Sequence, residues 1–329
     1  MSQAIQITGT FLDEISHDIN HQNWGEKEWD ADFCAMKSIG IDTVIMIRCG
    51  YRRWITYPSK VLMGRERCFE PYNNYLEMFL RLSEKYEMKF YFGLYDSGKY
   101  WVNGEYEKEV DINLAIIDEV GRGYSNSPAF QGWYISHEIN RNVPGIADLY
   151  ARLGKHCKEV ADLSVLISPY IDGEKAVNAA DKELYKSEAI SLRQHERDWD
   201  EILGKTSEFI DIVAFQDGHV DFHDIENYME TNKKLAIKHG VQCWSNCESF
   251  DRDMPIKFLP IKWDKMLMKL QSAASAGAEK VITFEFSHFM SPNSSYAQAR
   301  HLFNRYKDYF GLVREDGPAV APSGNKLRQ

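Results

Sequence analysis

Carboxylates recur at one kind of place in this 329-residue chain: the end of a short apolar run, where a β-strand would stop. The run "QGWYISHE" (131–138) closes on His137 and Glu138, and "VQCWSNCE" (241–248) closes on Asn246 and Glu248. Asp13 and Glu14 end "IQITGTFLDE", Asp96 ends "KFYFGLYDS", Gln216 and Asp217 end "IDIVAFQDG", and Glu285 sits in "KVITFEFSH". Arg48 and Tyr170 hold the corresponding places in "TVIMIRCGY" and "LSVLISPYI". A single carboxylate at such a place is often a solvated turn. Several of them on one rim, with an arginine among them, could divide the work of general acid and general base.

Whether they share a rim depends on the elements that carry them. Eight β-rich apolar runs (5–14, 43–51, 89–97, 130–138, 163–171, 210–218, 241–249 and 280–288) are separated by amphipathic segments. "DLYARLGKHCKEV" places Leu149, Leu153, Cys157 and Val160 on one stripe, and "WDKMLMKLQSAASAG" does the same with Trp263, Met266, Leu267, Leu270 and Ala274 before stopping at Gly277. Strands alternating with helices and joined by short turns must run parallel. Eight such units predict a (β/α)8 TIM barrel in a single domain over residues 1–312, with 313–329 a loosely ordered tail. A doubly wound sheet would show a Gly-rich turn after its first strand, and "FLDEISHDIN" is none.

In this architecture the active site lies at the C-terminal ends of the strands. The two-residue period of a strand then sorts side chains by face. Gly132, Tyr134, Ser136 and Glu138 share one face and Trp133 and Ile135 the other, which aims Glu138 at the barrel axis. The same reasoning groups Trp244 and Asn246 with Glu248, groups Val44 and Met46 with Arg48, and turns Thr283 and Glu285 inward, with Phe284 and Phe286 toward the helices. Two carboxylates facing each other across a barrel mouth suit hydrolysis of a glycosidic bond. One protonates the leaving oxygen and the other attacks the anomeric carbon, at about 5–5.5 Å separation in a retaining enzyme and roughly 6.5–9.5 Å in an inverting one.

With Glu138 ending strand four and Glu248 ending strand seven, the chain resembles the retaining glycoside hydrolases of the large (β/α)8 superfamily. The resemblance implies that Glu138 is the acid/base and Glu248 the nucleophile, and that no cofactor or metal is needed. The segments "GTFLDEISHDI", "VAFQDG" and "WSNCESF" are similar to those of an uncharacterised family of glycoside hydrolase barrels. The superfamily usually carries Asn just before the strand-four Glu, and here His137 stands in its place. A β-bulge at the rim would turn His137 into the pocket as a neutral imidazole.

The remaining candidates, Asp13, Glu14, Arg48, Asp96, His137, Tyr170, Gln216, Asp217, Trp244, Asn246 and Glu285, are expected to bind sugar hydroxyls or tune the catalytic pair, with Glu285 a rival for the second carboxylate. Trp24, Trp54, Tyr57, Trp101, Tyr170 and Trp244, all in or beside the strand-end loops, could stack on a sugar ring. The loops after strands two and five should wall the site as a pocket. Two other readings compete: a metal-dependent sugar isomerase or epimerase, and a carbohydrate-binding barrel without catalysis.

Composition narrows the partners. With 39 Lys and Arg against 49 Asp and Glu the net charge is −10, and no basic tract suggests nucleic acid. No apolar run is long enough for a membrane span, and "MSQAIQITGTF" lacks signal-peptide features, so a carbohydrate substrate and a cytoplasmic location are expected. The six cysteines have neither disulfide nor zinc spacing and read as reduced core thiols. The oligomeric state is not legible.

Overall fold

The computed structural model describes residues 3–17, 19–173, 189–252 and 258–312. Eight strands form its centre: β1 (Ile7–Leu12), β2 (Thr43–Met46), β3 (Lys89–Gly93), β4 (Phe130–Ile135), β5 (Ser164–Ile167), β6 (Ile212–His219), β7 (Gln242–Glu248) and β8 (Lys280–Phe284). Each pairs in parallel with the next, and β8 returns to β1 with Thr283 opposite Thr10, which closes the barrel. Closure leaves no open edge whose backbone groups would need another partner. Eight longer helices surround it: α1 (Glu26–Ser38), α2 (Tyr75–Lys85), α3 (Tyr106–Tyr124), α4 (Ile146–Val160), α5 (Leu192–Thr206), α6 (Ile225–His239), α7 (Trp263–Ser275) and α8 (Ala297–Phe310). This is the expected (β/α)8 barrel. The segment 313–329 and most of the loop after β5 (174–188) lie outside the described residues.

Strand periodicity sorts the apolar side chains into two cores. Val44, Phe90, Phe92, Trp133, Val165, Val213, Phe215, Cys243 and Val281 face outward and pack with the helices. Phe11, Ile45, Tyr91, Tyr134, Leu166, Ala214, Trp244 and Ile282 fill the barrel interior. The helices follow their sequence signals. Asn74 caps α2 by accepting the Glu77 N–H at 3.2 Å, and Ser191 caps α5 in the same way. Gly240 closes α6 at φ 72°, a left-handed conformation that is free of steric cost only for glycine. Five of the six free cysteines are buried, whereas Cys34 is exposed on α1.

Two expected facings are reversed along their strands, and in both the backbone leaves strand structure before the polar residue is reached. On β2 it is Ile45 that points inward, while Val44 and Met46 pack against the helices. β2 stops at Met46, the two-residue period is lost at the bend, and Arg48 still reaches the barrel mouth. On β8 Ile282 and Phe284 take the inner side and Thr283 the outer. Strand structure ends at Phe284, and Glu285 becomes the N-cap of the short helix Phe286–Phe289.

Candidate active site

A cavity of about 370 Å³ opens at the C-terminal mouth of the barrel. Glu138 and Glu248 both line it, with Arg48, Asp96, Tyr170 and Gln216 from the sequence-derived candidates. Trp101, Tyr51, Phe250 and Phe284 give it apolar wall. The loop after β2 supplies Tyr51 and Arg52, which is the walling role expected of it.

Glu138 lies two inward positions beyond Tyr134 and is surrounded by donors. The Tyr134 hydroxyl and Gln216 Nε2 reach its Oε1 at 3.1 and 3.0 Å, and the Tyr170 hydroxyl reaches its Oε2 at 3.1 Å. Tyr170 is placed by the short strand Tyr170–Asp172, which pairs with the end of β6 at Gln216. Burial raises the pKa of Glu138 above the ordinary carboxylate value, and the charge of Arg48, 3.7 Å from Oε2, works against that rise. The net shift is upward, the direction that suits a general acid.

Glu248 lies in the opposite electrostatic environment. Burial alone would raise its pKa, but the Arg252 guanidinium overrides that effect and holds it down at about 2. Arg252 Nε donates to Oε2 and Nη2 to Oε1, both at 2.7 Å, the fork-on-fork pairing that arginine makes with a carboxylate. Arg252 lies four residues beyond Glu248 and was not a sequence candidate. The only signal was an arginine in "SFDRD" just past a strand end.

Two features fix the position of that carboxylate. Gly218, near the end of β6, leaves the space it occupies: a Cβ there would lie 1.7 Å from Glu248 Oε2. Gly218→Ala is therefore expected to displace the carboxylate and lower kcat by about 10²-fold while the barrel stays folded, to be checked by steady-state kinetics alongside circular dichroism. Behind β7, Lys269 on α7 forms a buried ion pair with Asp217 at 2.7 Å. Asp217 accepts the Glu248 N–H at 3.1 Å and Lys269 donates to the Glu248 carbonyl at 3.2 Å, so the pair grips the Glu248 backbone from both sides. Removing one member strands the other's charge. Lys269→Met should cost roughly 3–5 kcal/mol in urea unfolding, and Lys269→Met/Asp217→Leu should regain most of it.

Several expected binding residues lie elsewhere. His137 points outward, as regular alternation dictates, and meets Glu109 on α3 at 3.0 Å with both side chains fully buried. No bulge re-aims it, which corrects its expected place in the pocket. Glu285 caps the short helix through the N–H groups of Ser287 and His288 and contacts the His288 ring. That carboxylate holds His288 protonated against the opposing effect of burial, at a pKa of about 9, and Glu285 is not among the residues lining the cavity. Asp13 accepts the N–H groups of Ile15 and Ser16 at 2.9 Å and shapes the first loop, and Glu14 approaches His21 at 3.7 Å. Asp217 faces the helices for the parity reason that places Gln216 inside. Asn246 is inward but deeper, donating to Ser168 at 3.0 Å. Trp244 plugs the lower barrel against Tyr91, beside Lys280 at the start of β8. Of the six expected aromatics, only Trp101 and Tyr170 line the cavity. Trp24 packs on Trp29, Trp54 lies on Phe69, and Tyr57 donates to Glu119. Among the described residues no three His, Cys, Asp or Glu side chains converge as a metal site, and no helix is long and apolar enough to cross a membrane.

Comparison with known proteins places the chain. A family model described as a domain of unknown function, DUF4434, matches residues 7–296. The chain belongs to the DUF4434 family. A Bacteroides thetaiotaomicron VPI-5482 protein described as a putative alpha-L-fucosidase is 54% identical, with 94% of each chain covered and a TM-score of 0.89. The endo-1,4-beta-D-mannanase of Thermotoga petrophila RKU-1 is 10% identical, with 93% of this chain and 99% of the other covered and a TM-score of 0.55. A GH2 beta-galacturonidase from Eisenbergiella tayi is 12% identical, with 96% of this chain and 52% of the other covered and a TM-score of 0.58. At such identities these two establish the shared barrel and nothing finer. No curated protein matches the chain.

Proposed function

We propose that this DUF4434 protein is a glycoside hydrolase that acts with retention, with Glu138 as acid/base and Glu248 as nucleophile. The carrying observation is the split between two buried carboxylates in one cavity, Glu138 with its pKa raised by burial and Glu248 held down by Arg252 at about 2. In the first step a Glu248 oxygen attacks the anomeric carbon, the glycosidic C–O bond breaks, and the Glu138 proton passes to the leaving oxygen. In the second, Glu138 takes a proton from water as that water displaces Glu248. Arg252 does not consume the nucleophile. Arg252 gives one N–H to each Glu248 oxygen, and a carboxylate oxygen has a second lone pair beyond such a bond.

The description of the 54%-identical relative agrees with a glycosidase and makes α-L-fucosides the first substrates to try. The test is a panel of para-nitrophenyl glycosides, including fucosides and uronides, followed by proton NMR. Retention requires the first sugar released to keep the substrate's anomeric configuration. Inversion would recast Glu248 as a general base, and failure to turn over any glycoside in the panel or a natural oligosaccharide set would remove the reading.

A further inference from the structure

One corner of the cavity is more cationic than hydrolysis requires. Tyr51 lies at its centre: the His17 ring stacks on it at 5.1 Å, and the Arg48 and Arg52 guanidinium carbons lie 5.6 and 5.2 Å from its centroid. All four residues line the cavity. Arg48 is nearly buried yet poorly satisfied. Its Nε has no hydrogen-bond partner, and its terminal nitrogens stand 3.7 Å from Asp96 and Glu138, beyond hydrogen-bonding distance. Asp96 uses Oδ1 for the Gly98 N–H and Trp101 Nε1, both at 2.8 Å, leaving Oδ2 as the atom 3.7 Å from Arg48, and Glu138 accepts from Tyr134, Tyr170 and Gln216.

Arg52 is exposed at the cavity rim and makes no ion pair among the described residues, and its backbone is held in place. It sits in the turn between the paired segments Gly50–Tyr51 and Trp54–Ile55 at φ 54°, its N–H donating to Asp96 and its carbonyl accepting the Tyr95 hydroxyl. Its stem lies against Gly98, where a Cβ would come within 2.9 Å of the Arg52 Cγ. A guanidinium at the cavity rim without a carboxylate partner, beside a second with unused donors, is complementary to a planar or tetrahedral oxyanion.

We propose that His17, Arg48 and Arg52 bind an anionic substituent of the substrate, a carboxylate or a sulfate ester, so that the site takes acidic glycosides. This rests on the glycosidase reading only for the ligand being a sugar.

Isothermal titration of the full chain with D-glucuronate, D-glucose 6-sulfate, D-glucose and L-fucose tests it without requiring turnover. At least one of the two anionic sugars should bind tenfold or more tightly than both neutral ones, and which one does so identifies the oxyanion. Arg52→Gln should erase that preference, read as the ratio of anionic to neutral affinity, and raised salt should narrow it. Equal affinity for charged and neutral sugars, binding of none of them, tighter binding of L-fucose, or a preference that survives in Arg52→Gln would each overturn the proposal. Those results stand whether or not any glycoside is hydrolysed, so the charge preference and the hydrolase reading fail separately.

Discussion

Glu138→Gln is expected to lower kcat/KM for unactivated glycosides by about 10²–10⁴-fold, the usual contribution of a positioned general acid. The loss should depend on the leaving group. A dinitrophenolate departs without a proton, so an aryl glycoside bearing it should still form the glycosyl-enzyme at near wild-type rate, giving a burst of phenolate followed by slow turnover. Azide needs no general base and should accelerate that slow step, releasing a glycosyl azide of retained configuration. In wild type, the basic limb of the pH–rate profile reports deprotonation of this group. Because burial raises the Glu138 pKa, that limb should lie above the ordinary carboxylate range and flatten in Glu138→Gln. An unchanged profile in the variant, with uniform loss across leaving groups, would move the acid to another residue.

Glu138 was legible although β4 ends at Ile135, because the alternation of its last residues runs on past the strand. An inward Tyr134 and outward Trp133 and Ile135 carry the alternation on to it, and the same alternation on β6 and β7 places Gln216 and Glu248 inside. Where the backbone bends after a strand, the period is lost. Arg48 was expected inside for a reason that β2 does not satisfy, since Val44 and Met46 face outward and only the bend beyond Met46 brings the arginine to the mouth. Glu285 failed on β8 because its carboxylate is used two and three residues later as a helix cap. Sequence period carries no information about that competition between a local backbone bond and a distant site. His137 shows the converse error: regular alternation placed it outward, and the expected bulge is absent.

Arg252 and the Asp217–Lys269 pair were missed for a different reason. Lys269 lies on the face of α7 that also buries Met266, Leu270 and Ala273, where amphipathic patterning places apolar residues. A lysine there is explained only by the buried Asp217 it meets, from a strand more than fifty positions earlier in the chain. Arg252 belongs to a loop with no period at all, and its role appears only once Glu248 is seen to need a counter-charge.

That counter-charge bears on the largest effect expected of any single substitution. Glu248→Ala removes the attacking oxygen, and kcat should fall below about 10⁻⁴ of wild type, the scale seen when a nucleophile acting within a catalytic unit is deleted. The variant also leaves Arg252 without its bidentate partner and opens a space beside Gly218 where the carboxylate lay. A small anion fits both. Azide or formate should bind next to Arg252 and, with an activated glycosyl fluoride of wild-type configuration, restore turnover by direct displacement, azide giving a glycosyl azide of inverted configuration. The products distinguish the two carboxylates: retained azide adduct from Glu138→Gln, inverted from Glu248→Ala. Glu248→Gln should respond less, because the amide fills the space the anion needs. Adding Arg252→Gln to Glu248→Ala should raise the anion concentration required for rescue, since the guanidinium is the cation that would hold it. If Glu248→Ala keeps more than a hundredth of wild-type activity without added anion, the nucleophile is another group, and the depressed pKa of Glu248 belongs to a structural ion pair.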